Sequence, residues 1–275
     1  MKLLWLDLNS SYAHSSLALP ALHVSATINE NPGMVVSRIH KHRPDIIAAT
    51  NWLFNHEQLL HIISRAKALL PHCCIVLGGP EFLGNNEAFL YKNKFVSGVF
   101  RGEGEEVFPQ WLKVWNHSKE TWKSITGLCY LDENGRYQDN GIARVMNFSQ
   151  LVSPEKSCFF NWSKPFVQLE TTRGCFNTCA FCVSGGEKPV RTIPLEAIRE
   201  RLNDIHQHGI KNVRVLDRTF NYNNKRAKEL LDLFRQYPDI CFHLEIHPAL
   251  LSEELKQELS VLPKGLLHLE AGIQS

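Results

Sequence analysis

Short apolar runs alternate with amphipathic helical stretches along most of this chain, and that alternation restricts it to parallel sheets covered by helices. In the first 115 or so residues, the runs 2–8, 34–39, 45–50, 73–77 and 96–101 read as strands. Between the last two of the central three, Glu57, Leu59, Leu60, Ile62, Ile63, Ala66 and Leu69 repeat at the three- and four-residue spacing of a helix with one buried face. A doubly wound α/β sheet is expected there. Residues 125–144 hold two short strand-like pieces around Asp132-Glu133-Asn134-Gly135, a hairpin signal that reads as a connector. Beyond Pro154 and Pro165 a second series begins, with strands expected at 166–172, 212–217, 240–246 and 266–273 and helices at 194–208, 225–235 and 252–260. The expected division is a first domain over 1–120, a connector over 121–160 with the change of pattern near 150, and a second domain over 161–275.

Composition narrows the function classes. At 275 residues and 44% hydrophobic content the chain can bury two ordinary cores. Thirty Lys and Arg balance 28 Asp and Glu, and a net charge of +2 sets up no global field for a polyanion, so nucleic acid is not implied. No apolar run approaches the roughly 20 residues that cross a bilayer, and the start Met1-Lys2-Leu3-Leu4-Trp5-Leu6-Asp7 is too short for a signal peptide. A cytoplasmic location with no membrane partner is the expectation.

The chain has eight cysteines. Cys73, Cys74, Cys129, Cys158 and Cys241 are scattered, mostly in apolar stretches, and read as packed thiols. Cys175, Cys179 and Cys182 differ. The segment Thr172-Arg173-Gly174-Cys175-Phe176-Asn177-Thr178-Cys179-Ala180-Phe181-Cys182 sets them at a C-x3-C-x2-C spacing after the first strand of the second series. A structural zinc site takes four ligands, whereas a cubane cluster held by three thiolates leaves one iron open. Gly174 permits a bend before the first ligand, and Phe176 and Phe181 can shield a cluster from water. Three buried or zinc-bound cysteines are the plainer alternative.

Three loops of the first series follow apolar runs: Asn9-Ser10-Ser11-Tyr12-Ala13-His14-Ser15-Ser16, Gly78-Gly79-Pro80-Glu81 and Arg101-Gly102-Glu103-Gly104-Glu105-Glu106. Open α/β sheets bind ligands beyond the carboxyl ends of their strands, and glycine lets a backbone approach a ligand closely. Together the loops mark one sheet edge as a ligand site.

The cysteine spacing, with an aromatic residue before the last cysteine, resembles the radical S-adenosylmethionine (SAM) superfamily. The resemblance implies a partial (β/α) barrel in which Cys175, Cys179 and Cys182 hold a 4Fe-4S cluster. Its open iron takes the amino and carboxylate groups of SAM, and electron transfer yields a 5'-deoxyadenosyl radical. Phe181 is implied beside the adenine. Implied SAM contacts are Asp217 and Asn221 in Asp217-Arg218-Thr219-Phe220-Asn221, Glu245, and Gln274 and Ser275 of a Gly-x-Gln-Ser strand end. Glu170, Glu245 and Glu270 fit ion pairs inside a barrel equally well. Gly185-Gly186-Glu187 resembles the element that binds the methionine amino group, but it closes the cluster loop instead of the second strand and reads as a tail of that loop.

The loops of the first domain are similar to those of radical enzymes with an N-terminal cobalamin domain. That similarity implies a cobalamin-binding-like Rossmann sheet, with Asn9, His14, Thr50, Gly78, Gly79, Gly102, Glu103 and Gly104 as cobalamin contacts. No Asp-x-His-x-x-Gly motif surrounds His14, so cobalamin is expected without a histidine ligand, or the domain keeps the fold without the cofactor. His14 reads equally well as a surface or capping histidine. The superfamily barrel has more βα units than the four legible here, so an unfinished barrel is expected. The function implied is a radical SAM enzyme, in particular a cobalamin-dependent methyltransferase acting on a small molecule or peptide, with flavodoxin or ferredoxin as reductant. Two other readings stay open: a non-catalytic remnant that binds the cluster, and a radical SAM enzyme that does without cobalamin.

Overall fold

The computed structural model describes residues 1–9, 23–158, 160–182 and 187–272, and the chain divides into two compact units, Met1–Val145 and Met146–Ser275. The first unit runs β1 (Leu3–Asn9), β2 (His23–Thr27), α1 (Pro32–His42), β3 (Ile46–Thr50), α2 (His56–Leu69), β4 (Cys74–Gly78), α3 (Glu87–Lys92), β5 (Gly98–Phe100), α4 (Val107–Leu112), β6 (Leu128–Leu131) and β7 (Tyr137–Asp139). These strands form one sheet in the order β2-β1-β3-β4-β5-β6-β7. The first five are parallel, and β6 and β7 are added antiparallel.

Continuous apolar strands follow from burial on both faces. Leu4, Leu6, Ile47, Ile75 and Leu77 pack against Val35, Ile39, Leu59, Ile62 and Ile63 of α1 and α2. Their neighbours Ile46, Ala48 and Val76 point the other way, into a cluster with Phe100, Trp111, Trp122 and Tyr130. The doubly wound sheet is therefore as expected, with three differences in detail. The run 34–39 is helical: Asn31 caps α1 by accepting from the Gly33 amide at 2.8 Å, Pro32 opens it, and Val35, Val36 and Ile39 form its buried stripe. β2, which pairs in parallel with β1, has no strand expectation to match it. The hairpin read as a connector is laid onto the sheet edge, where Val99 pairs with Cys129.

In the second unit the chain forms β8 (Val167–Leu169), β9 (Thr172–Arg173), β10 (Arg191–Thr192), α5 (Leu195–Gln207), β11 (Asn212–Val215), α6 (Asn224–Phe234), β12 (Cys241–Ile246), α7 (Glu253–Ser260) and β13 (Leu267–Ala271). The order β13-β12-β11-β8 is sequential and all parallel, with a helix in each crossover, which is the winding of a (β/α) barrel left open. Val167, Leu169, Val213, Val215, Phe242 and Leu244 are buried on the helix side, and Phe234 of α6 stacks on Phe242 at 4.0 Å. Ser252 and Asn223 cap α7 and α6 through their side-chain oxygens. Arg201 of α5 reaches Glu155 with three hydrogen bonds of 2.8–3.2 Å, a buried ion pair that also ties the Gln168 carbonyl.

Among the described residues no helix is long and apolar enough to cross a membrane.

Candidate functional site

The sheet of the first unit reverses its winding between β1 and β3, and sheets of this kind hold ligands beyond the carboxyl ends of the two strands at such a reversal. Asn9 ends β1 and Thr50 ends β3. Two buried asparagines follow Thr50. Asn55 donates through Nδ2 to the Leu8 carbonyl at 3.0 Å and to the Thr50 carbonyl at 3.2 Å, binding both strand ends. Asn51 lies 3.0 Å by Nδ2 from His56 Nδ1, while its Oδ1 is buried with no hydrogen-bond partner among the described residues. An orphaned buried acceptor at a switch point suits a donor from a ligand. Neither asparagine was singled out by sequence; the signal was an Asn-x-x-x-Asn spacing just past an apolar strand.

Between them, Trp52, Leu53 and Phe54 are exposed, with Leu53 at 82%. Trp52 and Phe54 stack with centroids 6.2 Å apart. A cavity of about 580 Å³ opens on this edge beside Ile28, Leu53, Phe54, His56 and Glu81. Gly79, at φ +110°, admits no side chain, since a Cβ would lie 2.5 Å from the Asn51 carbonyl oxygen. Gly78 has ordinary space around it, and Gly104 faces open space. A Cβ on Gly102 would meet the Ala143 carbonyl at 2.3 Å, and Glu103 Oε2 accepts from the Val145 amide at 2.7 Å. His14 lies outside the described residues.

In the second unit the cysteine loop leaves the sheet after β8. Its base is closed by the antiparallel pairing of β9 with β10 and by the Cys175 amide donating to the Glu187 carbonyl at 3.0 Å. Gly174, at φ +100°, could not carry a Cβ, which would stand 2.5 Å from that same oxygen. Cys175 is buried at the base, Cys179 and Cys182 are exposed, and the Cys182 amide closes a turn on the Cys179 carbonyl at 3.1 Å. Among the described residues no three Cys, His, Asp or Glu side chains stand together as a metal site. The donor chemistry still fits an iron–sulfur cluster: three thiols on one turn-forming loop, with no histidine or carboxylate between them. Ligand loops of this kind are drawn together by the metal they bind. Phe181 is 80% exposed.

The polar residues at the strand ends divide sharply. Asp217 is 1% exposed; its Oδ1 accepts from the Thr171 and Thr172 amides at 2.8 and 2.9 Å, and its Oδ2 accepts from the Thr171 hydroxyl. Burial pushes its carboxyl above the usual carboxylate range, against the pull of those hydrogen bonds. Asn221, equally buried, is bound to the His247 backbone in both directions, at 2.9 and 2.8 Å. Glu245 and Glu270 lie side by side in the β12–β13 register, each 3.6 Å from Arg214, and Glu270 also takes His243 at 2.7 Å. Glu170 holds Arg173 with two bonds of 2.8 Å. Gln274, Ser275, Gly185 and Gly186 lie outside the described residues.

Comparison with known proteins follows the same two-part division. The B12 binding domain family matches residues 24–112, and the Radical SAM superfamily matches residues 169–275. An uncharacterized methyltransferase, PH0819, of Pyrococcus horikoshii is 29% identical over 201 residues, which are 70% of this chain and 43% of that protein. The cobalamin-dependent radical SAM methyltransferase TokK of Streptomyces tokunonensis is 20% identical over 188 residues, 64% of this chain and 28% of that one. The solved radical SAM methyltransferase TsrM of Kitasatospora setae shares the fold at a TM-score of 0.73 with 15% identity, over 99% of this chain and 59% of that one. The chain spans less than half the length of these curated relatives.

Proposed function

This chain belongs to the radical SAM proteins that carry a B12 binding domain, and on that footing we propose that it is part of a cobalamin-dependent radical SAM methyltransferase. The observation that carries the proposal is the Cys175-Cys179-Cys182 loop, rooted on the first strand of a parallel sheet wound like an opening barrel. When bound, a 4Fe-4S cluster supplies the electron that breaks the S–C bond of SAM, and cobalamin supplies a carrier for the methyl group.

The chain's own residues have distinct parts in this reading. Cys175, Cys179 and Cys182 would ligate the cluster through three thiolates and so leave a coordination position for SAM. Phe181, exposed on the same loop, covers the adenine. Glu245, on the polar side of β12, would contact SAM, and the family resemblance assigns the same role to Gln274 and Ser275. On the first unit, Asn9, Thr50, Gly78 and Gly79 would hold cobalamin. The buried Asn51 Oδ1 would accept a hydrogen bond from an amide side chain of cobalamin, and exposed Trp52, Leu53 and Phe54 would offer it apolar surface. The first unit holds no Asp-x-His-x-x-Gly motif, and the one match in the chain, Asp204-Ile205-His206-Gln207-His208-Gly209, ends α5 of the second unit, so the first unit would hold cobalamin without a histidine ligand from that motif. A small electron-transfer protein such as flavodoxin or ferredoxin is the reductant, the substrate is a small molecule or peptide, and the compartment is the reducing cytoplasm, in keeping with eight free cysteines.

The test is anaerobic reconstitution with iron and sulfide, reduction, and addition of SAM and hydroxocobalamin. Methylcobalamin formation, or 5'-deoxyadenosine release with substrate, supports the proposal. A reconstituted cluster with neither product contradicts it, and an unchanged corrin spectrum removes cobalamin from it.

A further inference from the structure

We propose that Asp217 is a positioning residue for the cluster loop and not a contact of SAM, an inference that rests on the proposed function for what the loop binds. The chain leaves β8 at Leu169 and must reach Cys175 within six residues. Over that stretch Thr171 and Thr172 turn both backbone amides toward one carboxylate, which arrives from the end of β11. The Leu216 amide, donating to the Leu169 carbonyl at 2.8 Å, places Asp217 there by extending the β8–β11 ladder one residue past its last pair. On the other side the Ile193 amide donates to the Thr171 carbonyl at 3.0 Å, continuing the β9–β10 clip. The staple therefore joins three segments: the first strand's exit, the second strand's end and the returning arm of the loop.

Burial and internal bonding argue against a cofactor role. A carboxylate offers about four lone-pair directions. Three of those at Asp217 are filled from within the chain, and the side chain is 1% exposed, so no ammonium or ribose hydroxyl reaches it. What it controls is the start of the loop. Downstream of Thr172, Gly174 has no room for a side chain and the Cys175 amide is fixed on Glu187, so a shift at the staple is passed directly to the first ligand sulfur.

Asp217→Ala and Asp217→Asn in the full chain separate the possibilities. Asparagine can still accept both amides through Oδ1 and donate through Nδ2 to the Thr171 hydroxyl, whereas alanine can do neither. In metal-free protein, Asp217→Ala is expected to speed hydrogen exchange at the Thr171 and Thr172 amides about tenfold or more. After anaerobic reconstitution its iron affinity is expected to fall about tenfold. Asp217→Asn is expected to keep the exchange rates, the iron and the SAM affinity per cluster measured by equilibrium dialysis. Leu244→Ala, a core cavity on the helix side of β12, is expected to lower the melting temperature while leaving iron content unchanged.

Wild-type exchange and iron content in Asp217→Ala overturn the inference, as does Asp217→Asn with a full cluster and lost SAM binding. Equal iron loss in Leu244→Ala overturns it too, by reducing the effect to general destabilisation. Should Asp217→Ala fail to fold, Thr171→Val removes only the hydroxyl donor, and unchanged exchange at Thr172 is then the contrary result. Wild-type protein that takes up no iron defeats the proposed function alone, because the exchange experiment needs no metal.

Discussion

The two sheets of this chain are both parallel and both fed by helices, yet they leave different surfaces for chemistry. The first packs an apolar cluster on each face, and its candidate site, beyond the carboxyl ends of its strands, is built from backbone turns, buried amides and a glycine. The second is apolar on one face only. Its other face carries Gln168, Arg214, His243, Glu245, His268 and Glu270, which the alternation of side chains along β8, β11, β12 and β13 sets opposite to the buried Val213, Phe242 and Leu244. A doubly wound sheet thus offers a ligand an edge, and an opening barrel offers it a face. Of the residues that look functional in sequence, Asp217 is buried and bonded within the chain, whereas Glu245 lies half-exposed on that polar face beside Arg214.

The largest expected effect falls in the second unit, away from its polar face. Glu155→Ala strands the Arg201 guanidinium in the core and is expected to cost about 3–5 kcal/mol in denaturant unfolding. A loss under about 1 kcal/mol would show that water reaches the pair. Next comes the edge of the first sheet. Gly79→Ala places a Cβ against the Asn51 backbone and is expected to cost about 1–3 kcal/mol and to weaken corrin binding measured by absorbance titration. A variant that binds hydroxocobalamin as wild type does breaks the edge assignment.

Smaller again is the polar face. Arg214→Gln removes the cation shared by Glu245 and Glu270, and because all three are partly exposed the stability change is expected to be about 1 kcal/mol or less. A larger loss would make that face part of the core and erase the contrast between the sheets. The smallest signal is an absence of reaction. Burial raises the Cys73 thiol to about 11, so in metal-free protein at neutral pH iodoacetamide is expected to label exposed Cys179 and Cys182 and to leave Cys73 unmodified, as read by peptide mass spectrometry.

Much of the fold was legible because the apolar runs are short, well separated and bounded by caps. Ser252 before α7, Asn223 before α6 and the Ile-rich start of β3 announce their elements directly. The run 34–39 misleads because Val35 and Val36 are β-branched, while the Asn31-Pro32 start and the spacing to Ile39 carry the helix. β2 is defined by pairing with β1, a partner that its own composition does not reveal. In the site, the cysteine spacing is a local signal and needs no fold to be read. The Asp217 staple spans 46 residues, and the meeting of Glu245 with Glu270 depends on strand register, so neither can be seen before the sheet is assembled. The polar strand ends therefore announced chemistry without saying which of them were already occupied.

The central claim is that three sulfurs hold an iron cluster with one open corner, and metal analysis of anaerobically reconstituted protein tests it most directly. The account predicts about four iron and four sulfide per chain, with a brown absorbance near ~400 nm that Cys179→Ala abolishes. Zinc in place of iron, or a spectrum unchanged by Cys179→Ala, contradicts it.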